Sequence, residues 1–211
     1  MKKVLVINAS SRKERSLSRH LTGLFVDLWK EKNIDDEICH REIGQGNIPH
    51  VSETWISAAF KPKDLRSEEE IQELKISDAL VDELKQSDII VLGTPMYNWS
   101  IPSSLKAYID QIVRVNETVT VNKGDTEKPY NGLLKGKKVY LLLVRGNEGY
   151  EKGENFAFMN FQSEYLKTVF NILGIDEVEE FVLNGSSYGS EVLNNALQTA
   201  TEKIKNSISK L

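Results

Sequence analysis

The chain has 211 residues with 27 Lys+Arg against 31 Asp+Glu, a formal net charge of −4 that lacks the basic excess of a nucleic-acid-binding surface. Hydrophobic residues at 40% and charged ones at 27% are those of a globular protein and exclude a disordered chain. The single Cys39 rules out an internal disulfide, no Cys/His spacing suggests a metal, and no run approaches the ~20 apolar residues of a membrane span, so a cytoplasmic protein is expected.

At the N-terminus Lys2 and Lys3 precede an apolar run, but Val4 to Ile7 is far shorter than the roughly 7–15 residues of a signal-peptide core. It reads as a first buried strand, Val4 to Asn8. A helix follows, with Leu17, Leu21, Leu24, Phe25, Leu28 and Trp29 on one stripe. Further β-branched runs lie at Glu37 to Glu42, Ile89 to Thr94, Val139 to Val144 and Val178 to Leu183, the first of them polar enough for an edge strand. Between them Ser67 to Glu70 has the capping-box pattern of a helix start, with Ile71, Leu74, Leu80 and Leu84 following. Pro102 suits the first turn of a helix carrying Leu105, Tyr108, Ile109 and Ile112. Leu193, Ala196, Leu197, Ala200, Ile204 and Ile208 form the last stripe.

Strands alternating with helices mean α/β, with a largely parallel sheet in one domain over 1–211. Five βα units at about 30 residues each leave about sixty residues unused. Most of that surplus is in residues 43–66 and 114–136, which fit no βα unit. Long connections of this kind are more often functional than idle.

In an open α/β sheet, ligands bind beyond the carboxyl ends of the strands. The first such loop, Asn8 to Ser18, has no glycine, which excludes the dinucleotide fingerprint and the Walker loop. Its Ser10, Ser16 and Ser18 read equally well as a cradle for a terminal phosphate at a helix N-terminus or as helix capping. In the loop after the third long strand, Met96-Tyr97-Asn98-Trp99 between Pro95 and Pro102 could cover a planar ring or simply pack. The glycines of Val144-Arg145-Gly146-Asn147-Glu148-Gly149 permit close backbone approach to a ring or a plain turn. Asn184 to Gly189 has a weaker claim on the same pocket. His20, His40 and His50 have no acid/base partner at helical spacing.

At Pro95-Met96-Tyr97-Asn98-Trp99-Ser100-Ile101-Pro102 and Leu105-Lys106-Ala107-Tyr108-Ile109-Asp110 the sequence resembles the FMN-dependent NADH-azoreductases and related NAD(P)H:quinone oxidoreductases. The resemblance extends to Val4-Leu5-Val6 with Ser10 and Ser16-Leu17-Ser18, to Gly132 through Lys138, to Arg145-Gly146 and to Tyr188-Gly189. It implies a flavodoxin-like, doubly wound five-stranded sheet of order 2-1-3-4-5 with helices on both faces, a homodimer, and one FMN per subunit. It further implies that Ser10, Ser16, Leu17 and Ser18 hold the FMN phosphate, that Met96, Tyr97, Asn98 and Trp99 frame the flavin, and that Val144, Arg145, Gly146 and Asn147 meet its pyrimidine side.

The family pattern at that last loop is Ser-Arg-Gly-Gly, so Val144 removes a hydroxyl and Asn147 replaces a glycine. A missing hydrogen bond and an altered turn are therefore expected. The implied activity is ping-pong hydride transfer from NADH or NADPH through FMN to a quinone or azo compound, with the chemistry carried by the flavin N5 and no catalytic side chain. The competing readings are a flavodoxin-like one-electron carrier, disfavoured by the mild charge and extra loops, and a flavin-free phosphate-binding domain or hydrolase. Trp55, Phe60 and Thr118 to Val121 are expected at the dimer interface or the substrate pocket.

Overall fold

A computed structural model describes residues 1–210. Five strands, β1 (Lys3–Asn8), β2 (Glu37–Glu42), β3 (Ile89–Pro95), β6 (Lys138–Val144) and β7 (Glu177–Leu183), form one sheet in the order β2-β1-β3-β6-β7. Every pairing in it is parallel, with Val4 opposite Ile38 and Ile89, and Ile90 opposite Val139. This is the expected 2-1-3-4-5 order once the small hairpin strands are set aside. Polar β2 lies at the edge, while β1, β3 and β6 are almost wholly buried, as central parallel strands must be.

Strand alternation divides the core into two layers. Val4, Val6, Val91, Tyr140 and Leu142 face helices α1 (Leu17–Lys32) and α6 (Ser190–Ile208), which supply Leu21, Phe25, Trp29, Ala200, Ile204 and Ile208. Leu5, Ile7, Ile90, Leu92 and Leu141 face α3 (Glu68–Gln86), α4 (Ser103–Ile112) and α5 (Ser163–Ile172). The period of two thus covers both faces and winds the chain around the sheet twice. The capping box forms at Ser67 and Glu70, and Ile71 just beyond it is half exposed. Pro102 occupies the cap position, and the helix starts one residue later at Ser103.

The two surplus segments have separate fates. Residues 43–66 contain α2 (Glu53–Phe60), whose Trp55 and Ala58 pack with Leu74 of α3 in a small core of their own. Residues 114–136 carry an antiparallel hairpin, β4 (Val119–Val121) with β5 (Tyr130–Gly132). It is pressed onto the end of α5, where a Cβ on Gly132 would lie 2.0 Å from the Gly174 nitrogen, so no larger residue fits. Glu117, at the start of this segment, is bridged by Lys63 and Lys85. Burial pushes its carboxyl up, but hydrogen bonds from the two lysines outweigh this and hold its pKa at about 2. Trp55 is buried and donates to Gln111 Oε1 at 2.8 Å, and Thr118 and Val119 are buried too, so these members of the group expected at the dimer interface or the substrate pocket serve the chain's own packing. Phe60 and Val121 remain exposed. Among the described residues no helix is long and apolar enough to cross a membrane.

Candidate cofactor site

Strand order reverses between β1 and β3, and their carboxyl ends open onto a cleft of about 390 Å³. Ser10, Arg12, Arg15, Ser16, Leu17, Ser18, Pro95, Met96, Tyr97, Val144, Gly146, Ser186 and Ser187 line it. A shallower cleft of about 210 Å³ shares Met96 and Gly146 and adds Asn98, Trp99, Asn147 and Tyr150. Of the twelve residues that the resemblance implies for FMN, Arg145 alone lines neither cleft.

The first cleft is built on the entry to α1. Ser16 caps the helix by accepting from the Arg19 N–H at 3.3 Å, and its hydroxyl lies 3.2 Å from that of Ser18. Ser10 Oγ accepts from the Arg12 N–H at 3.2 Å. All three serines are largely buried yet line the cleft, so their hydroxyls are held in place at its surface. The N–H groups of Leu17 and Ser18 lie in the first turn, where an α-helix has no carbonyl to offer, and the helix dipole adds partial positive charge there. Arg19 is turned aside to Glu42. Arg12 and Arg15 stay at the surface, and neither is paired with a carboxylate among the described residues. Capping and anion readiness, alternatives in the sequence, coexist here.

The second cleft rests on a tight turn. Tyr97 and Ser100 exchange backbone hydrogen bonds of 2.9 and 3.0 Å, while Asn98 and Trp99 between them have φ of 47° and 66°. Positive φ at both central positions is the turn that reverses a hairpin in two residues. Asparagine tolerates it, but for tryptophan it is strained, and Trp99 still exposes about half its surface. The turn is fastened on both sides: Met96 donates to the Val144 carbonyl at 2.7 Å, and Phe161 donates to the Trp99 carbonyl at 3.1 Å.

Across the cleft, Val144 ends β6 as an apolar floor, 6% exposed. The altered turn expected at Asn147 is not a strained one, because the residue is not in the left-handed region, whereas Gly149 is, at φ 91°. Asn147 is fixed by the Gly185 N–H on its carbonyl at 3.3 Å, and the Ser187 hydroxyl donates to the Gly146 carbonyl at 2.7 Å. Arg145 points the other way. Its side chain is fully buried and bonds Gln162, Ser163 and Glu151, so a direct side-chain contact with a ligand in the cleft is replaced by an internal one.

Arg12, Arg15 and Tyr150 are lining residues that sequence reasoning did not assign. The signal for the arginines was their position in a glycine-free loop just ahead of a helix; for Tyr150 it was adjacency to the Gly149 turn. His20, His40 and His50 are exposed and line neither cleft.

A family model described as flavodoxin-like fold matches residues 2–208. A curated FMN-dependent NADH:quinone oxidoreductase 1 of Trichormus variabilis is 42% identical over 203 residues, covering 96% of this chain and 94% of its own. An FMN-dependent NADH:quinone oxidoreductase of Nostoc punctiforme is 40% identical over 189 residues, 90% of each chain. Among solved structures, an FMN-dependent NADH-azoreductase from Bacillus anthracis in complex with FMN superposes with a TM-score of 0.84 at 25% identity, over 99% of this chain and 98% of that one. Sequence, sheet order and cleft together place the chain in the flavodoxin-like family that contains the FMN-dependent NADH:quinone oxidoreductases and NADH-azoreductases.

Proposed function

We propose that this protein is an FMN-dependent NAD(P)H oxidoreductase that reduces quinones and azo compounds and works as a homodimer. The observation that carries the reading is the pair of joined clefts, one equipped for a phosphate and the other for a flat ring, sharing Met96 and Gly146. The names of its relatives point the same way.

The residues fit FMN. Ser10, Ser16 and Ser18 with the Leu17 and Ser18 N–H groups would hold the phosphate, and Arg12 and Arg15 would neutralise its charge. Met96, Tyr97, Asn98 and Trp99 on one side, with Val144, Gly146 and Asn147 on the other, would frame the ring. When bound, FMN would supply acceptance and release of an electron pair as hydride. The polypeptide's part is to orient and shield. Trp99, Asn147 and Tyr150 bound a single slot, so donor and acceptor take it in turn. Among the described residues no histidine or carboxylate lines that slot, which favours solvent as the source of the protons that complete reduction of the acceptor.

Trp99 at its edge and Phe161, whose N–H donates to the Trp99 carbonyl, are 48% and 61% exposed, apolar surface suited to burial against a second copy. The unpaired, exposed Cys39 suits a reducing cytoplasm.

The test is the visible spectrum of protein reconstituted with FMN, before and after NADH without oxygen. Bound flavin absorbing near about 450 nm and bleached by NADH alone is expected. Binding without bleaching would leave a carrier, and no binding would overturn the reading. Initial rates against both substrates should give parallel reciprocal plots, and sedimentation at micromolar concentration should give a dimer.

A further inference from the structure

We infer that Arg145 is a positioning residue that sets the shape of the acceptor slot from behind, without touching the cofactor. The inference rests on the proposed function. Arg145 is fully buried, and each nitrogen of its guanidinium has one partner: Nε donates to Gln162 Oε1 at 3.1 Å, Nη1 to Glu151 Oε1 at 2.5 Å, and Nη2 to Ser163 Oγ at 2.6 Å. Glu151 lies in the connection between β6 and α5, six residues after Arg145; Gln162 ends that connection and Ser163 begins α5. One side chain therefore pins both ends of a ten-residue loop, 152–161.

That loop lines no part of the slot itself but backs the Asn98–Trp99 turn, which does. It carries Phe158 and Phe161, both exposed, and the Phe161 N–H donates to the Trp99 carbonyl. Tyr150, which lines the slot, lies with its ring centre 5.9 Å from the Arg145 guanidinium carbon. The backbone of Arg145 is meanwhile fixed in the sheet margin, donating to the Leu183 carbonyl at 2.8 Å and accepting from Ser186 at 3.1 Å. A rigid strand end thus holds a loop whose one regular element is the single 3-10 turn Ala157–Met159, through a planar fork whose geometry lysine cannot reproduce. Loosening the fork widens and blurs the slot while the floor at Val144 and Gly146 stays in place. Acceptors that need the whole slot suffer most, because a misplacement of about 1 Å can cost about 100-fold in rate.

The experiment compares Arg145→Lys and Glu151→Gln with wild type, using benzoquinone as a small acceptor and a two-ring azo dye as a large one. For Arg145→Lys the ratio of kcat/KM for the dye to that for benzoquinone should fall about tenfold, with FMN affinity and NADH-driven bleaching within about twofold of wild type. For Glu151→Gln, whose carboxylate is partly exposed and whose loss the fold should survive, the ratio should fall about threefold. In the FMN-free protein, amide exchange over 152–161 should quicken about tenfold in Arg145→Lys while β1 and β3 keep their protection.

Loss of FMN affinity with both acceptors declining together would overturn the inference, since Arg145 would then be holding the cofactor or the fold. So would unchanged acceptor ratios and loop exchange. If Arg145→Lys fails to fold, Glu151→Gln decides on the same readouts. Wild type that neither binds FMN nor oxidises NADH would overturn the proposed function and this inference with it, whereas a failure confined to the variants overturns the inference alone.

Discussion

The two ends of the candidate FMN site are made in opposite ways. The phosphate end draws its main donors from one short stretch, Ser10 to Ser18, and most of its internal hydrogen bonds span two or three residues. The ring end is assembled from segments far apart in the chain: Met96 bonds Val144, Phe161 bonds Trp99, and Gly185 bonds Asn147. An anion can be met by a single helix entrance, because the free N–H groups and the dipole are already aligned there. A flat slot needs two walls, and only a folded chain brings two walls together.

The largest test of that contrast removes the charge from the local end. Arg12→Ala with Arg15→Ala should weaken FMN binding about 100-fold, as two charge-assisted hydrogen bonds at about 1.5 kcal/mol each imply. Acceptor preference should not move, and high salt should weaken the wild type toward the double variant, as titration of flavin fluorescence would read out. Equal damage to acceptor choice would mean that the two ends are not separable.

A change remote from both ends sharpens the comparison by touching neither. Glu117 has a folded pKa of about 2, below the usual carboxylate value near about 4.3, so its stabilising contribution is present above about pH 4.3 and is lost as pH falls toward 2. Glu117→Gln should destabilise the protein at neutral pH by on the order of 2 kcal/mol and flatten the acid limb of its pH–stability curve. FMN affinity per folded molecule should stay as it was. Denaturant melts from pH 7 to pH 3 would decide it, and an unchanged acid limb would count against the lysine bridge.

Smaller again is Ser16→Ala, which removes a helix cap and one of the proposed phosphate donors. It should lower stability by about 1 kcal/mol and FMN affinity about tenfold. Smallest in stability is Trp99→Gly. Deleting a large aromatic from a core costs about 3–5 kcal/mol, but here the ring is half exposed and its left-handed backbone stores about 1–3 kcal/mol. The thermal midpoint should therefore change by less than the equivalent of about 1 kcal/mol, while turnover of large acceptors falls. A large destabilisation would show that Trp99 is held by packing and not by the turn.

Much of this site was legible in the sequence. Ser10, Ser16 and Ser18 could be placed at the cleft because helix capping and an anion-ready helix entrance draw on the same residue types. The motif from Pro95 to Pro102 located the turn, though nothing in it announced that Trp99 would adopt positive φ. Arg145 shows where the reading stopped. Its neighbours Val144 and Gly146 line the cleft, and strand alternation sends the residue between them to the opposite side, toward Gln162 and Ser163. Trp55 shows a second limit. An aromatic in an unassigned segment looks available for an interface until a polar partner such as Gln111, fifty-six residues away, claims its indole N–H.

The sequence by itself determined the alternation of strands and helices, the buried centre and polar edge of the sheet, the helix entrances and the family. Those properties follow from periodicity, capping and local motifs, which act over a few residues. The folded chain was needed to show that the clefts join at Met96 and Gly146, and that Arg145 sits behind them instead of lining them. These depend on contacts between residues tens of positions apart, and a linear pattern holds no record of which distant partner will satisfy a buried charge.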